Sequence, residues 1–295
     1  MRELRARHVD TVTLVVVWMQ ADKRATLIRP GGETVPTEHL VAAIRAAHRA
    51  GLRVVLRPYV DVPDRPAARL SLRPSSVARW WSSYRNFVLR FAGMAAQERA
   101  FGFVVGSELT TMSRYAERWR GLVQDVRRRF DGRVTYQANW YREPWRISWW
   151  SAVDAISISS YFPLANEPAP TVSRLTEAWK QYVDPYGQTY RWQEDLRALS
   201  SRFQRPIVFG EIGYRTVDET AMHPWDVSGG SFDSDAQAVA YAAAFETWFR
   251  VPWFRGFHWW YVNPQPALLK GRPGADHRPA APTLALMAEW YARRR

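Results

Sequence analysis

Runs of apolar and β-branched residues recur along the chain at fairly regular intervals. They predict strands at Thr11–Trp18, Arg53–Val60, Phe101–Leu109, Arg133–Trp140, Asp154–Tyr161, Pro206–Tyr214 and Gly256–Val262. Most of the intervening segments carry a helical pattern with recognisable ends. Thr37 is placed to cap a helix running to Ala50, with Gly51 to stop it. Ser113 is placed to start a helix ending near Asp131-Gly132, Ser234 or Asp235 one through Phe249, and Thr283 the last. Arg2–Arg7 reads as the end of a further helix. Continuous apolar strands alternating with helices predict a parallel sheet of βα units.

Seven strands are one short of a closed (β/α)₈ TIM barrel, so the expectation is such a barrel, or one lacking its first strand at the N-terminus. An open doubly wound sheet is the alternative, but no Gly-rich phosphate loop follows a strand. No linker, low-complexity tract or charge block divides the chain. Residues 1–295 are therefore expected to form a single catalytic domain.

Two segments stand out chemically. FGFVVGSEL and PIVFGEIGY each end an apolar run with one glutamate, Glu108 and Glu211. An ionised carboxylate at an apolar strand end is costly unless something there uses it. In a barrel the working residues lie at the carboxyl ends of the strands. With one strand placed ahead of the first, the two glutamates fall on strands four and seven, from which side chains can converge. Paired carboxylates at one rim suit glycoside hydrolysis. A buried ion pair from each glutamate to one of the many arginines is the plainer alternative.

The other strand ends supply Trp18, Gln20, Arg57, Tyr59, Asp61, Asn139, Trp140, Tyr161 and Trp260. Carboxylates and amides grip sugar hydroxyls, and aromatic rings stack on apolar sugar faces. Trp259 and Trp260 alternate along one strand, so at most one should enter the site, and Trp260 is the candidate. Trp225 lies in the polar loop Arg215–Ser231 and is expected to serve a substrate-binding lid.

Composition sharpens the partner class. The net charge of +13 is almost all arginine, with only Lys23, Lys180 and Lys270 as lysines. These arginines are spread over helix faces such as Arg45, Arg49, Arg118, Arg127 and Arg128, without a nucleic-acid motif, so no nucleic-acid partner is expected. No apolar run is long enough to span a bilayer, so no membrane partner is expected either. There is no cysteine, and the six histidines show no ligand spacing, so neither metal nor cofactor is expected. Sixteen tryptophans fit a carbohydrate ligand, although many should simply fill the core. No signal peptide is visible.

The ordered segments TVTLVVVWMQ, AHRAGLRVVLRPYVDV, FVVGSEL, RVTYQANW, VDAISISSYFPL and PIVFGEIGY, with Pro224-Trp225, the Gln237–Tyr241 stretch and GFHWWYV, resemble glycoside hydrolase family 113. That family belongs to clan A and includes β-mannanases. The resemblance implies retaining hydrolysis of β-1,4-linked mannan, with Glu108 as acid/base and Glu211 as nucleophile. A clan A enzyme of other specificity (xylan, glucan or an exo-mannosidase) and a catalytically impaired carbohydrate-binding barrel are the alternatives. In this setting Arg57 or Tyr161 should keep Glu211 ionised, and Glu108 should carry a proton at rest. The chain departs from the pattern at Ser107, where many clan A enzymes carry asparagine, and at Tyr59, where a histidine is expected. Both departures bear on sugar preference.

Overall fold

The computed structural model describes residues 1–32, 34–63, 67–261 and 276–293. The chain divides into two compact units, Met1–Ile158 and Ser159–Arg295.

The first unit opens with α1 (Arg2–Ala6), then β1 (Thr11–Gln20), β2 (Ile28–Arg29), α2 (Thr37–Arg49) and β3 (Arg53–Asp61). It continues with α3 (Val77–Gln97), β4 (Gly102–Ser107), α4 (Ala116–Arg127), β5 (Arg133–Asn139) and the short α5 (Glu143–Arg146). Strand β6 (Ala155–Ser159) lies at its end. The strands stand in the order β6-β5-β4-β3-β1-β2. The pairs β1–β3, β3–β4 and β4–β5 are parallel, as the uninterrupted apolar runs require. Every residue of β4 is buried. Beside β1, on the edge where a further strand was in question, the two residues of β2 pair antiparallel.

Behind this sheet, α3 presents Trp80, Trp81, Tyr84, Phe87, Val88 and Phe91 at three- and four-residue intervals, which makes one buried face. Trp119 of α4 stacks on Trp149 at 5.0 Å and meets Trp81 edge-on at the same distance. Trp80, Trp119, Trp149 and Trp150 have no exposed surface. Gly51 stops α2 in the left-handed region at φ +75°, as expected.

The second unit contains α6 (Val172–Lys180), the hairpin β7 (Tyr182–Val183) and β8 (Thr189–Tyr190), and α7 (Trp192–Phe203). Then follow β9 (Ile207–Ile212), α8 (Ser234–Trp248), β10 (Phe254–Trp259) and α9 (Ala281–Ala292). Strands β9 and β10 are parallel, and α8 packs between α6 and α9. Phe209, Trp179, Trp248 and Phe254 form the aromatic core beside β9.

All seven predicted strands are present, with ends shifted by one to three residues; Val262, the last residue of the seventh, lies outside the described residues. The helix starts differ more. Thr37 is the first helical residue and makes no cap bond; the capping position is Pro36. Helix α4 starts at Ala116, because Ser113 turns its hydroxyl back to Thr110 O. Asp233 caps α8, its Oδ1 accepting from the amides of Asp235 and Ala236 at 2.9 Å. Thr283 sits inside α9, where its hydroxyl donates to Gln237 Oε1 at 2.9 Å. Side-chain oxygens cap only where the preceding backbone is extended and free, a condition local spacing does not report.

Candidate active site

In the first unit, the alternation of β3 puts Arg57, Tyr59 and Asp61 on one face. The Arg57 guanidinium is buried and donates to Gln137 Oε1 of β5 at 2.9 Å. Tyr59 lies between two guanidiniums, 5.5 Å from that of Arg57 and 4.7 Å from that of Arg69. Arg69 comes from a 3₁₀ turn, Ala68–Ser71, in the segment after β3.

Glu108 directly follows β4 and is 4% exposed. The β4–β5 register is irregular just before it, and Glu108 itself adopts φ +53°. That left-handed backbone is unfavourable for a residue with a Cβ, and such conformations gather at functional sites. Three bonds hold the turn: Glu108 N to Gln137 O at 2.8 Å, Leu109 N to Tyr136 Oη at 2.9 Å, and Asn139 Nδ2 to Glu108 Oε1 at 3.0 Å. Arg69 donates to Glu108 Oε2 through Nη2 at 2.5 Å and Nε at 3.1 Å, while its Nη1 lies 3.6 Å from Asp61 Oδ1. Burial works against the charge of Arg69, yet the attraction of Glu108, Tyr59 and Asp61 prevails and raises its pKa. Donors on both oxygens suit a carboxylate rather than a carboxylic acid. Arg69 thus pairs with Glu108, the contact that the plainer alternative for this glutamate named.

Beneath Glu108 lies a second carboxylate. Glu143, at the start of α5, has no exposed surface. Its Oε1 accepts from Tyr136 Oη at 2.6 Å, and its Oε2 from Thr110 Oγ1 at 2.9 Å and Asn139 N at 2.8 Å. Burial pushes its carboxyl up to about 7, and the nearby charge of Glu108 adds to that.

Two predicted residues leave this cluster. The parallel register aligns Val15, Val17 and Met19 with Arg57, Tyr59 and Asp61, so Trp18 and Gln20 face the other way. Trp18 packs on Phe87 and Phe91 of α3 at 5.1 and 5.8 Å. Gln20 is fully buried, accepting from Trp80 Nε1 and donating to Asp22 O, both at 2.8 Å. Both belong to the layer between sheet and helix. Trp140 follows Asn139 and is half-buried, with Tyr141 at 5.5 Å.

In the second unit, Glu211 lies near the end of β9, half-buried, its backbone oxygen accepting from Ser160 N at 2.6 Å. Tyr161 is 8% exposed and donates its hydroxyl to Glu211 Oε1 at 2.6 Å. Of the two groups expected beside Glu211, the tyrosine makes this bond, and the guanidinium of Arg57 donates to Gln137. The ring of His277 lies 5.6 Å from that of Tyr161, and its Nε2 is 2.8 Å from Pro224 O. Burial lowers the His277 pKa, which keeps the ring neutral. Gly213 lets Trp260 O and the His277 side chain approach its backbone, because a Cβ there would lie 2.5 Å from the first and 3.2 Å from the second.

Trp259 stacks on Tyr241 at 3.9 Å and joins the core. Trp260, alternating with it, is half-buried beside Tyr261. Trp225 is 46% exposed and lies near His223. Its loop is tied down by Arg215, which donates to Ser228 O at 2.6 Å and Gly229 O at 3.1 Å.

Arg69, Glu143, Tyr136 and His277 escaped the sequence reading. Arg69 is one arginine among many in a segment without period, and Glu143 sits in YREPWR, which reads as a solvated turn.

The likeness to solved structures is extensive. A family 113 β-mannanase, AaManA from Alicyclobacillus acidocaldarius in complex with ManMIm, is 26% identical at TM-score 0.80, covering 99% of this chain and 90% of that one. A second structure, a GH113 β-1,4-mannanase complex, is 22% identical at TM-score 0.81, covering 99% and 92%. A fungal β-1,4-galactanase structure shares the fold at TM-score 0.63 and 15% identity, covering 98% and 90%. Comparison with curated protein sequences found no match. Fold and neighbours define an enzyme of the (β/α)₈ TIM-barrel glycoside hydrolase class. The profile of Glycoside Hydrolase Family 113 matches residues 1–269, and the chain belongs to that family.

Proposed function

We propose that this chain hydrolyses β-1,4-mannosidic linkages with retention of configuration, acting as one catalytic domain over residues 1–295, with Glu211 as nucleophile and Glu108 as acid/base. The observation that carries this is the short Tyr161–Glu211 hydrogen bond in a chain of family 113. A hydroxyl donating to a carboxylate oxygen favours the charged form that an attacking group needs. The β-mannanases among its structural neighbours support the choice of sugar.

In the first step Glu211 attacks the anomeric carbon, the glycosidic C–O bond breaks, and the departing oxygen takes a proton from Glu108. In the second, Glu108 takes a proton from water, whose oxygen displaces Glu211 from the same carbon. Arg69 must loosen from Glu108 Oε2 for the first proton to be carried there. Asn139, Trp140, Trp225, Trp260, Tyr59 and Asp61 are assigned to the sugar hydroxyls and ring faces.

The test is reducing-end release from mannan, xylan and β-glucan, with the anomer of the first product followed by NMR. Mannan cleavage with a β-configured first product, lost in both Glu108→Ala and Glu211→Ala, is the expected result. Cleavage that survives in Glu211→Ala overturns the assignment, and preference for another polymer overturns the specificity. Calorimetric binding of mannan oligosaccharides by the unsubstituted protein without turnover makes it a binding barrel instead.

A further inference from the structure

We infer that Glu143 is a positioning residue for Glu108: its buried carboxyl group ties the ends of β4 and β5 into a fixed cradle that holds the acid/base in place. The inference rests on the assignment of Glu108 as acid/base.

Glu143 accepts three hydrogen bonds, and each leads back to Glu108. Thr110 Oγ1 lies two residues beyond it in the chain. The Asn139 amide belongs to the residue whose side chain holds Glu108 Oε1. Tyr136 Oη donates to Glu143 and accepts from Leu109 N, the next residue after Glu108. The left-handed backbone of Glu108 is thus anchored by one buried group on a neighbouring element. Conformations of that kind persist only when the surroundings over-determine them.

Glu143→Gln keeps the shape, and kcat/KM is measured against pH on two substrates: a mannan oligosaccharide, and a 2,4-dinitrophenyl β-mannobioside, whose leaving group needs no protonation. We expect kcat/KM for the oligosaccharide to fall about 10- to 100-fold. The kcat/KM for the dinitrophenyl substrate should stay within about twofold. Thr110→Val, which removes one bond and keeps the carboxyl group, should cost several-fold on the oligosaccharide only, and covers the case in which Glu143→Gln fails to fold. Equal losses on both substrates overturn the inference and leave Glu143 a structural group. Glu108→Gln is run alongside. If that variant shows no dependence on the leaving group, the assignment of Glu108 as acid/base fails, which is a different outcome from failure of Glu143.

Discussion

The hydroxyl of Tyr161 donates to Glu211 Oε1 at 2.6 Å from a nearly buried position, so the carboxylate has a fixed partner before any sugar arrives. A hydrogen bond to a charged group contributes about 1.5–3 kcal/mol. Tyr161→Phe is therefore expected to lower kcat/KM on mannan oligosaccharides by about 10- to 100-fold. The melting temperature should change little. Steady-state kinetics beside a thermal melt check it, and an unchanged kcat/KM would remove Tyr161 from the site.

Arg69 is expected to draw Glu108 toward its ionised form. The guanidinium at 2.5 Å favours the ionised carboxyl, so its removal in Arg69→Gln lets Glu108 hold its proton to higher pH. The alkaline limb of the kcat/KM profile should then rise by about one pH unit. Arg69→Lys should return it part of the way, because a point charge remains without the two-nitrogen contact. A limb that falls, or stays, contradicts the ion pair as drawn.

The raised pKa of Glu143 has a consequence for folding. Its ordinary value is 4.5 and its folded value about 7, so within that window the folded chain holds a proton that the unfolded chain has released. More protons bound when folded means that stability falls as pH rises through the window. At most this amounts to about 1.4 kcal/mol per pH unit. Glu143→Gln has no such group. Urea midpoints for both proteins across that window should show the variant gaining on the parent as pH rises.

Gly106, two residues before Glu108, is needed for close packing. A Cβ there would lie 2.7 Å from both Trp119 Cη2 and Tyr84 Oη and 3.0 Å from Tyr136 Cε2. These rings are buried and packed edge-to-face, so they have little room to retreat. Gly106→Ala is expected to destabilise the chain by about 1–3 kcal/mol. Denaturant unfolding measures this directly, and a variant as stable as the parent would show that the aromatic layer yields.

The βα alternation and all seven long strands were legible from residue order alone. A strand buried on both faces needs an unbroken apolar run, and its ends need polar or glycine punctuation; both are local properties. The same locality marked Glu108 and Glu211, because a carboxylate closing such a run stands out. Alternation also set Trp259 apart from Trp260, and Trp259 stacks on Tyr241.

Only the tertiary structure decided who partners whom. Trp18 and Gln20 close a strand as Asp61 does, but the register turns them to the helix side, where Phe87, Phe91 and Trp80 receive them. Glu108 meets Arg69 from a turn 39 positions away, and Tyr161 meets Glu211 across 50. Loops have no period, and one arginine looks like another until the chain is folded, so neither partner nor resting charge could be read from spacing. Local pattern determines which segments are strands and helices; the protonation and reach of a buried carboxylate depend on the few groups that distant segments bring beside it.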